Sequence, residues 1–154
     1  MFHIILYQPE IPPNTGNIIR LCANTGCSLS LIKPLGFALE DRKLQRAGLD
    51  YHEWAKVNLY DSLDQCLDAL KPRIIYPCST KGKTTYCEPN FSQNDAFLFG
   101  PETRGLPTSL LQSFNANHIL KIPMMPNSRS INLANAVSII VYEALRQNQF
   151  NFIE

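Results

Sequence analysis

Three short polar stretches hold the residues best suited to chemistry: Asn14-Thr15-Gly16-Asn17-Ile18-Ile19-Arg20, Gly100-Pro101-Glu102-Thr103-Arg104-Gly105 and Pro126-Asn127-Ser128-Arg129-Ser130-Ile131-Asn132. Each contains one arginine, and each stands where a strand-like run has just ended or a helical pattern is about to begin. In parallel α/β sheets, loops and helix N-termini converge on a ligand at the carboxyl ends of the strands. Gly100 allows close approach of the backbone there, and Pro101 makes the turn rigid. Taken singly, each stretch is also what an ordinary turn or an elaborate helix cap looks like. Together they point to the rim of a ligand site.

Several chemistries are excluded by what is missing. The seven glycines stand at 16, 26, 36, 48, 82, 100 and 105, so neither a dinucleotide fingerprint nor a phosphate-cradling P-loop is present. No serine occupies a nucleophile elbow, and no His-Glu pair has zincin spacing. Five cysteines (Cys22, Cys27, Cys66, Cys78 and Cys87) include no C-x-x-C pair, and the three histidines are scattered, so no metal site is expected. Free thiols in a reducing compartment are the expectation. The formal charge of +1, from 14 Lys+Arg and 13 Asp+Glu, gives no general electrostatic case for nucleic acid. Any RNA affinity has to come from a local basic patch. The N-terminus lacks a signal-peptide pattern, and no run approaches the ~20 apolar residues of a membrane span.

The elements that must position these residues follow from periodicity. Short apolar strands are expected at Phe2–Tyr7, 28–33, Val57–Tyr60, Ile74–Tyr76, Ala96–Phe99 and Ile119–Ile122. Helices are expected from Asn14, as N-cap, to Gly26; from Glu40 to Gly48; from Asp61 to Leu70 with Asp61 or Ser62 as cap; and from Asn132 to about Gln149. Strands alternating with helices imply an α/β chain with a mainly parallel sheet, in one domain spanning residues 1–154. In the last helix, Leu133, Ala136, Val137, Ile140, Ala144 and Leu145 share one face. The opposite face carries Asn135, Ser138, Ile139, Tyr142 and Arg146, a composition suited to a second contact such as a partner subunit or ligand cleft.

In chain order, N-T-G-N-I-I-R, L-F-G-P-E-T-R-G-L-P and I-P-M-M-P-N-S-R-S-I-N-L-A-N-A-V closely resemble the motifs of the SPOUT class of RNA methyltransferases. The likeness is to the branch that methylates the ribose 2′-hydroxyl of tRNA. R-A-G-L-D-Y-H-E, Arg46 to Glu53, is similar to the same segment of its short members acting at the wobble pyrimidine. The resemblance covers nearly the whole chain. It implies a mainly parallel sheet flanked by helices with a deep C-terminal trefoil knot, a homodimer, S-adenosylmethionine as methyl donor, no metal, tRNA as substrate and a cytoplasmic location.

Carried over residue by residue, the resemblance puts the donor against Cys78, Gly100, Glu102, Ile122, Ser130 and Leu133. It makes Arg20, Arg129 and Tyr142 the catalytic candidates. The basic run of Arg42, Lys43 and Arg46 is a candidate RNA contact, as are Asn17, for which helix capping is the plainer role, and His52, which a structural hydrogen bond would explain equally well. Glu102 would either face the ligand or fix its loop. Lys81 and Lys83, flanking Gly82, form a further basic pair, although a solvated charged face is the plainer account of any one lysine. Two departures stand out: Cys78 where a larger aliphatic residue is familiar, and Lys33 where an acid is. Open alternatives are the same chemistry on another tRNA position or on ribosomal RNA, a non-catalytic RNA-binding module, and a small-molecule enzyme with similar loops by chance.

Overall fold

The computed structural model describes residues 1–45, 49–54 and 56–151. Strand β1 (His3–Tyr7) carries apolar side chains on both of its faces and must therefore be covered twice. It lies in a seven-stranded sheet of order β3-β2-β1-β6-β4-β7-β5, with β2 at Ser28–Ile32, β3 at Val57–Tyr60, β4 at Ile75–Cys78, β5 at Thr84–Thr85, β6 at Ala96–Phe99 and β7 at Leu120–Lys121. Every pairing is parallel, and β1 aligns Ile4 with Leu29 on one side and with Phe97 on the other.

Alternation along the strands supplies two cores. Ile4, Leu6, Leu29, Leu31, Phe97 and Phe99 meet helices α1 (Pro12–Thr25) and α6 (Leu133–Gln147) through Ile18, Ile19, Val137, Ile140 and Val141. Ile5, Ile32, Ala96 and Leu98 point the other way, onto α4 (Leu63–Leu70) and α5 (Thr108–Gln112). Two short helices, α2 (Arg42–Gln45) and α3 (Tyr51–Trp54), lie against α1.

The helix ends follow from the sequence, with one correction. Ser62 caps α4 through Gln65 N, and Asn132 caps α6 through Asn135 N at 3.3 Å. Asn14 does not cap α1. The N-cap is Ile11, because Pro12 and Pro13 fill the first two helical positions, where no N–H is required. Asn14 is thereby carried inside the helix and buried. The α2 helix is shorter than the span expected from residue 40 to 48, of which residues 46–48 lie outside the described residues. Strand β4 runs on through Pro77 to Cys78; β7 reaches it only at Cys78↔Leu120, which leaves the missing N–H of Pro77 harmless. On α6 the buried stripe also takes in Ala134 and Val141, while Asn135, Tyr142 and Arg146 remain exposed.

At the amino ends of the central strands a polar latch closes the fold. The fully buried Asp95 accepts from Arg73 Nε at 2.8 Å, Arg73 Nη2 at 2.7 Å and Ser92 N at 2.8 Å. His3 joins β1 to β2 and to the β6 approach, through Ser28 Oγ at 2.6 Å and Asn94 Oδ1 at 2.7 Å. Replacing Asp95→Ala strands the Ser92 donor and frees Arg73, and is expected to cost about 3 kcal/mol in urea unfolding. Ligand affinity at the opposite, carboxyl end of the sheet should not change.

Candidate functional site

The carboxyl ends of β6, β4 and β7 are neighbours in the sheet, so the loops that leave them share one side of the molecule. They enclose a cavity of about 220 Å³. Cys78, Ser79, Thr80 and Lys81 form one wall after β4, and Gly100 to Leu106 form the second after β6. Ile122, Met124, Ser130 and Ile131 form the third, on the path from β7 into α6. Phe99, Leu120, Leu133 and Ala136 supply an apolar floor.

Close packing of backbone builds these walls. A Cβ on Gly100 would collide with the backbone of Gly105 and Leu106, so the glycine is required by the loop folding back on itself. A Cβ on Gly82 would stand 2.7 Å from the Leu120 backbone, so the loop after β4 lies directly on β7. Ser79 N donates to Leu120 O at 2.9 Å, and Lys81 Nζ reaches across to Thr108 Oγ1 at 3.2 Å.

A chain of polar contacts joins the three motif stretches. The Glu102 carboxylate accepts from Glu10 N at 2.9 Å, from Ile11 N and from Asn14 Nδ2 at 3.4 Å. Asn14 Oδ1 accepts from Asn132 Nδ2 at 3.0 Å. The contact is reciprocated: Glu10 Oε1 accepts from Thr103 N at 3.0 Å and Thr103 Oγ1 at 2.7 Å. These bonds from Thr103, with Arg104 nearby, hold the Glu10 carboxyl below its ordinary range, so it stays ionised at neutral pH. The Glu102 side chain thus fixes its own loop to the start of α1. Glu10 and Thr103 were not singled out by the sequence reading, because their partners lie 93 residues apart in the chain.

The six donor candidates, Cys78, Gly100, Glu102, Ile122, Ser130 and Leu133, all line this cavity. The catalytic candidates do not line it. Arg20 is exposed on α1 with Asn17 one turn before it, and its Nε lies 3.7 Å from Glu53 Oε2. Arg129 is exposed beside Ser130, and Tyr142 is 46 % exposed on α6. Arg42, Lys43 and His52 are exposed on α2 and α3, and Arg46 lies outside the described residues. Among the described residues no group of three or more His, Cys, Asp or Glu could hold a metal, and no helix is long and apolar enough to cross a membrane.

Known proteins match nearly the whole chain. The model of the SpoU rRNA Methylase family matches residues 1–142. A tRNA (cytidine(34)-2'-O)-methyltransferase of Methylovorus glucosotrophus (strain SIP3-4) is 54 % identical over 150 residues, covering 97 % of each chain. A solved structure described as giving insights into the 2-OH methylation of C/U34 on tRNA is 46 % identical, with a TM-score of 0.88 and 98 % of both chains covered. The SpoU methyltransferase AviRb from Streptomyces viridochromogenes, solved in complex with the cofactor AdoMet, shares the fold at 24 % identity. Its TM-score is 0.83, with 96 % of this chain and 57 % of that chain covered.

Desolvation raises the Cys78 thiol above its ordinary pKa, which keeps it protonated at neutral pH although it is half-buried at the cavity edge. A disulfide reagent at neutral pH is expected to label exposed Cys87 first and Cys78 slowly, and a ligand filling the cavity should slow Cys78 further. Mass mapping of the labelled cysteines checks both.

Proposed function

Because this chain belongs to the SpoU methylase family, we propose that it transfers a methyl group from S-adenosylmethionine to the ribose 2′-hydroxyl of the wobble pyrimidine of tRNA. The observation that carries this reading is a convergence. Two of the three motifs, with the loop after β4, wall one cavity at the carboxyl ends of β4, β6 and β7, and the remaining motif is tied to both through Asn14. They do so in a chain whose relatives over 97 % of its length are named for that reaction. A tRNA substrate supports a cytoplasmic location.

The cavity suits the donor. Its floor of Phe99, Leu120, Leu133 and Ala136 offers apolar contact for a purine, and Ser79, Thr80, Thr103 and Ser130 offer polar groups at the rim. We assign Cys78, Gly100, Ile122, Ser130 and Leu133 to holding adenine and ribose. Glu102 acts by keeping its loop in place, since its oxygens are engaged by Glu10, Ile11 and Asn14. The bound donor supplies an electrophilic sulfonium methyl.

What remains for the protein is to place the hydroxyl and handle its proton. Arg20 is always charged and is a poor base. Its role in this reading is to stabilise the developing alkoxide and grip the neighbouring phosphate, the proton leaving to phosphate or water. Arg129 and Tyr142 assist on the substrate side, and Asn17, Arg42, Lys43, Arg46 and His52 meet the RNA.

With Arg20, Arg129 and Tyr142 standing off the cavity wall, one copy of the chain leaves the site incomplete. We therefore also assign a homodimer, supported by the open α6 face around Asn135 and Tyr142, and an RNA-binding patch assembled across both copies. The C-terminal knot belongs to the same proposal. It is supported by the position of β4 between β6 and β7, both of which follow it in the chain.

The test supplies labelled S-adenosylmethionine and tRNA lacking the modification, then locates the label by nuclease digestion. Label in a 2′-O-methylated wobble pyrimidine is expected, and Arg20→Lys should lower the rate by about a hundredfold. Label elsewhere in the RNA would overturn the substrate, and a nearly full rate for Arg20→Lys would overturn the assigned grip.

A further inference from the structure

The Arg46 to Glu53 segment carries a carboxylate to which the reading above gives no task. Glu53 lies on α3, its side chain 19 % exposed, and its Oε2 is wholly shielded with no hydrogen-bond partner. A carboxylate oxygen removed from water without a donor is costly unless a positive charge stands close. Arg20 stands beside it, its Nε 3.7 Å from that same Oε2. This is an ion-pair distance, longer than a hydrogen bond. The α3 helix does not depend on the Glu53 side chain for its own start, because Asp50 Oδ1 accepts Glu53 N at 3.0 Å. The Glu53 charge is thus held by the fold against α1, at the root of one long, 46 % exposed arginine.

We propose that Glu53 is a positioning residue for Arg20: it holds the guanidinium from its Nε edge before RNA arrives. A free arginine side chain has many rotamers to lose when it grips a ligand, and an arginine already confined by a neighbouring charge loses fewer. The separation matters too. A carboxylate at 3.7 Å confines the guanidinium by charge, at a longer range than the short bidentate bonds that Arg73 makes with Asp95. The proposal rests on the assignment of Arg20 to the substrate ribose and phosphate.

The experiment uses the full chain. It combines steady-state methylation of unmodified tRNA, calorimetric binding of S-adenosylmethionine and NMR order of the Arg20 Nε–H group. Glu53→Gln, which keeps the shape and removes the charge, is expected to lower kcat about tenfold with donor affinity unchanged. The Arg20 Nε–H should become mobile in that variant, and Glu53→Asp should restore part of both. In an Arg20→Ala background, Glu53→Gln should bring no further loss. A kcat within about twofold of the parent would overturn the proposal, as would an equal loss in the Arg20→Ala background. Should Glu53→Gln fail to fold, the parent protein decides: an Arg20 Nε–H as mobile as that of exposed Arg42 overturns the proposal. If Arg20→Ala keeps its full rate, the assignment of Arg20 falls, while the NMR comparison still reports whether Glu53 orders it.

Discussion

At the start of α1 the chain leaves the backbone N–H groups of Glu10 and Ile11 beyond the reach of any helical carbonyl, and the carboxylate of Glu102, far along the chain, accepts both. The rest of the site depends on that contact. Glu102 can reach these donors only if its loop turns sharply after β6, which demands a glycine at 100 and a close return by Gly105 and Leu106. Negative charge is favoured at a helix N-terminus, so the same side chain also suits the dipole of α1. Asn14 extends the contact to Asn132, the cap of α6. One carboxylate thereby fixes a cavity wall, the helix that carries Arg20 and, through Asn14, the entry to the last helix.

The buried polar latch and the cavity lie at opposite ends of the sheet. The amino ends carry the saturated Asp95 latch and the His3 bridge, whose hydrogen bonds are complete and buried or half-buried. The carboxyl ends carry loops held by a few long-range polar contacts around an open cavity. Such a division lets the walls adjust to a ligand without loosening the two apolar cores between them.

Much of this was legible in the sequence. Strand Ala96–Phe99 stands where its apolar run places it, since a strand buried on both faces has few other ways to satisfy its pattern, and the half-exposed edge strand Val57–Tyr60 also stands where it is expected. Two of the three polar stretches line one cavity at the carboxyl ends of parallel strands, and the first is joined to them through Asn14. Asn14 was misread because local spacing favours a cap, whereas Pro12-Pro13 starts the helix earlier. Gly100 was understood as making room for a ligand, yet the nearest backbone belongs to its own loop. The pairings of Glu10 with Thr103 and of Arg20 with Glu53 carry no local signature at all. They depend on the strand order, which periodicity does not encode.

The most direct test of the Glu102 contact couples two readouts in one variant. Hydrogen exchange at the Glu10 and Ile11 amides and S-adenosylmethionine affinity would be measured in the parent chain and in Glu102→Ala. Both amides are expected to be protected in the parent, and the variant to lose this protection together with at least about tenfold in donor affinity. Loss of protection with donor affinity intact would mean that the clamp holds the helix start without shaping the cavity, and would overturn its central place.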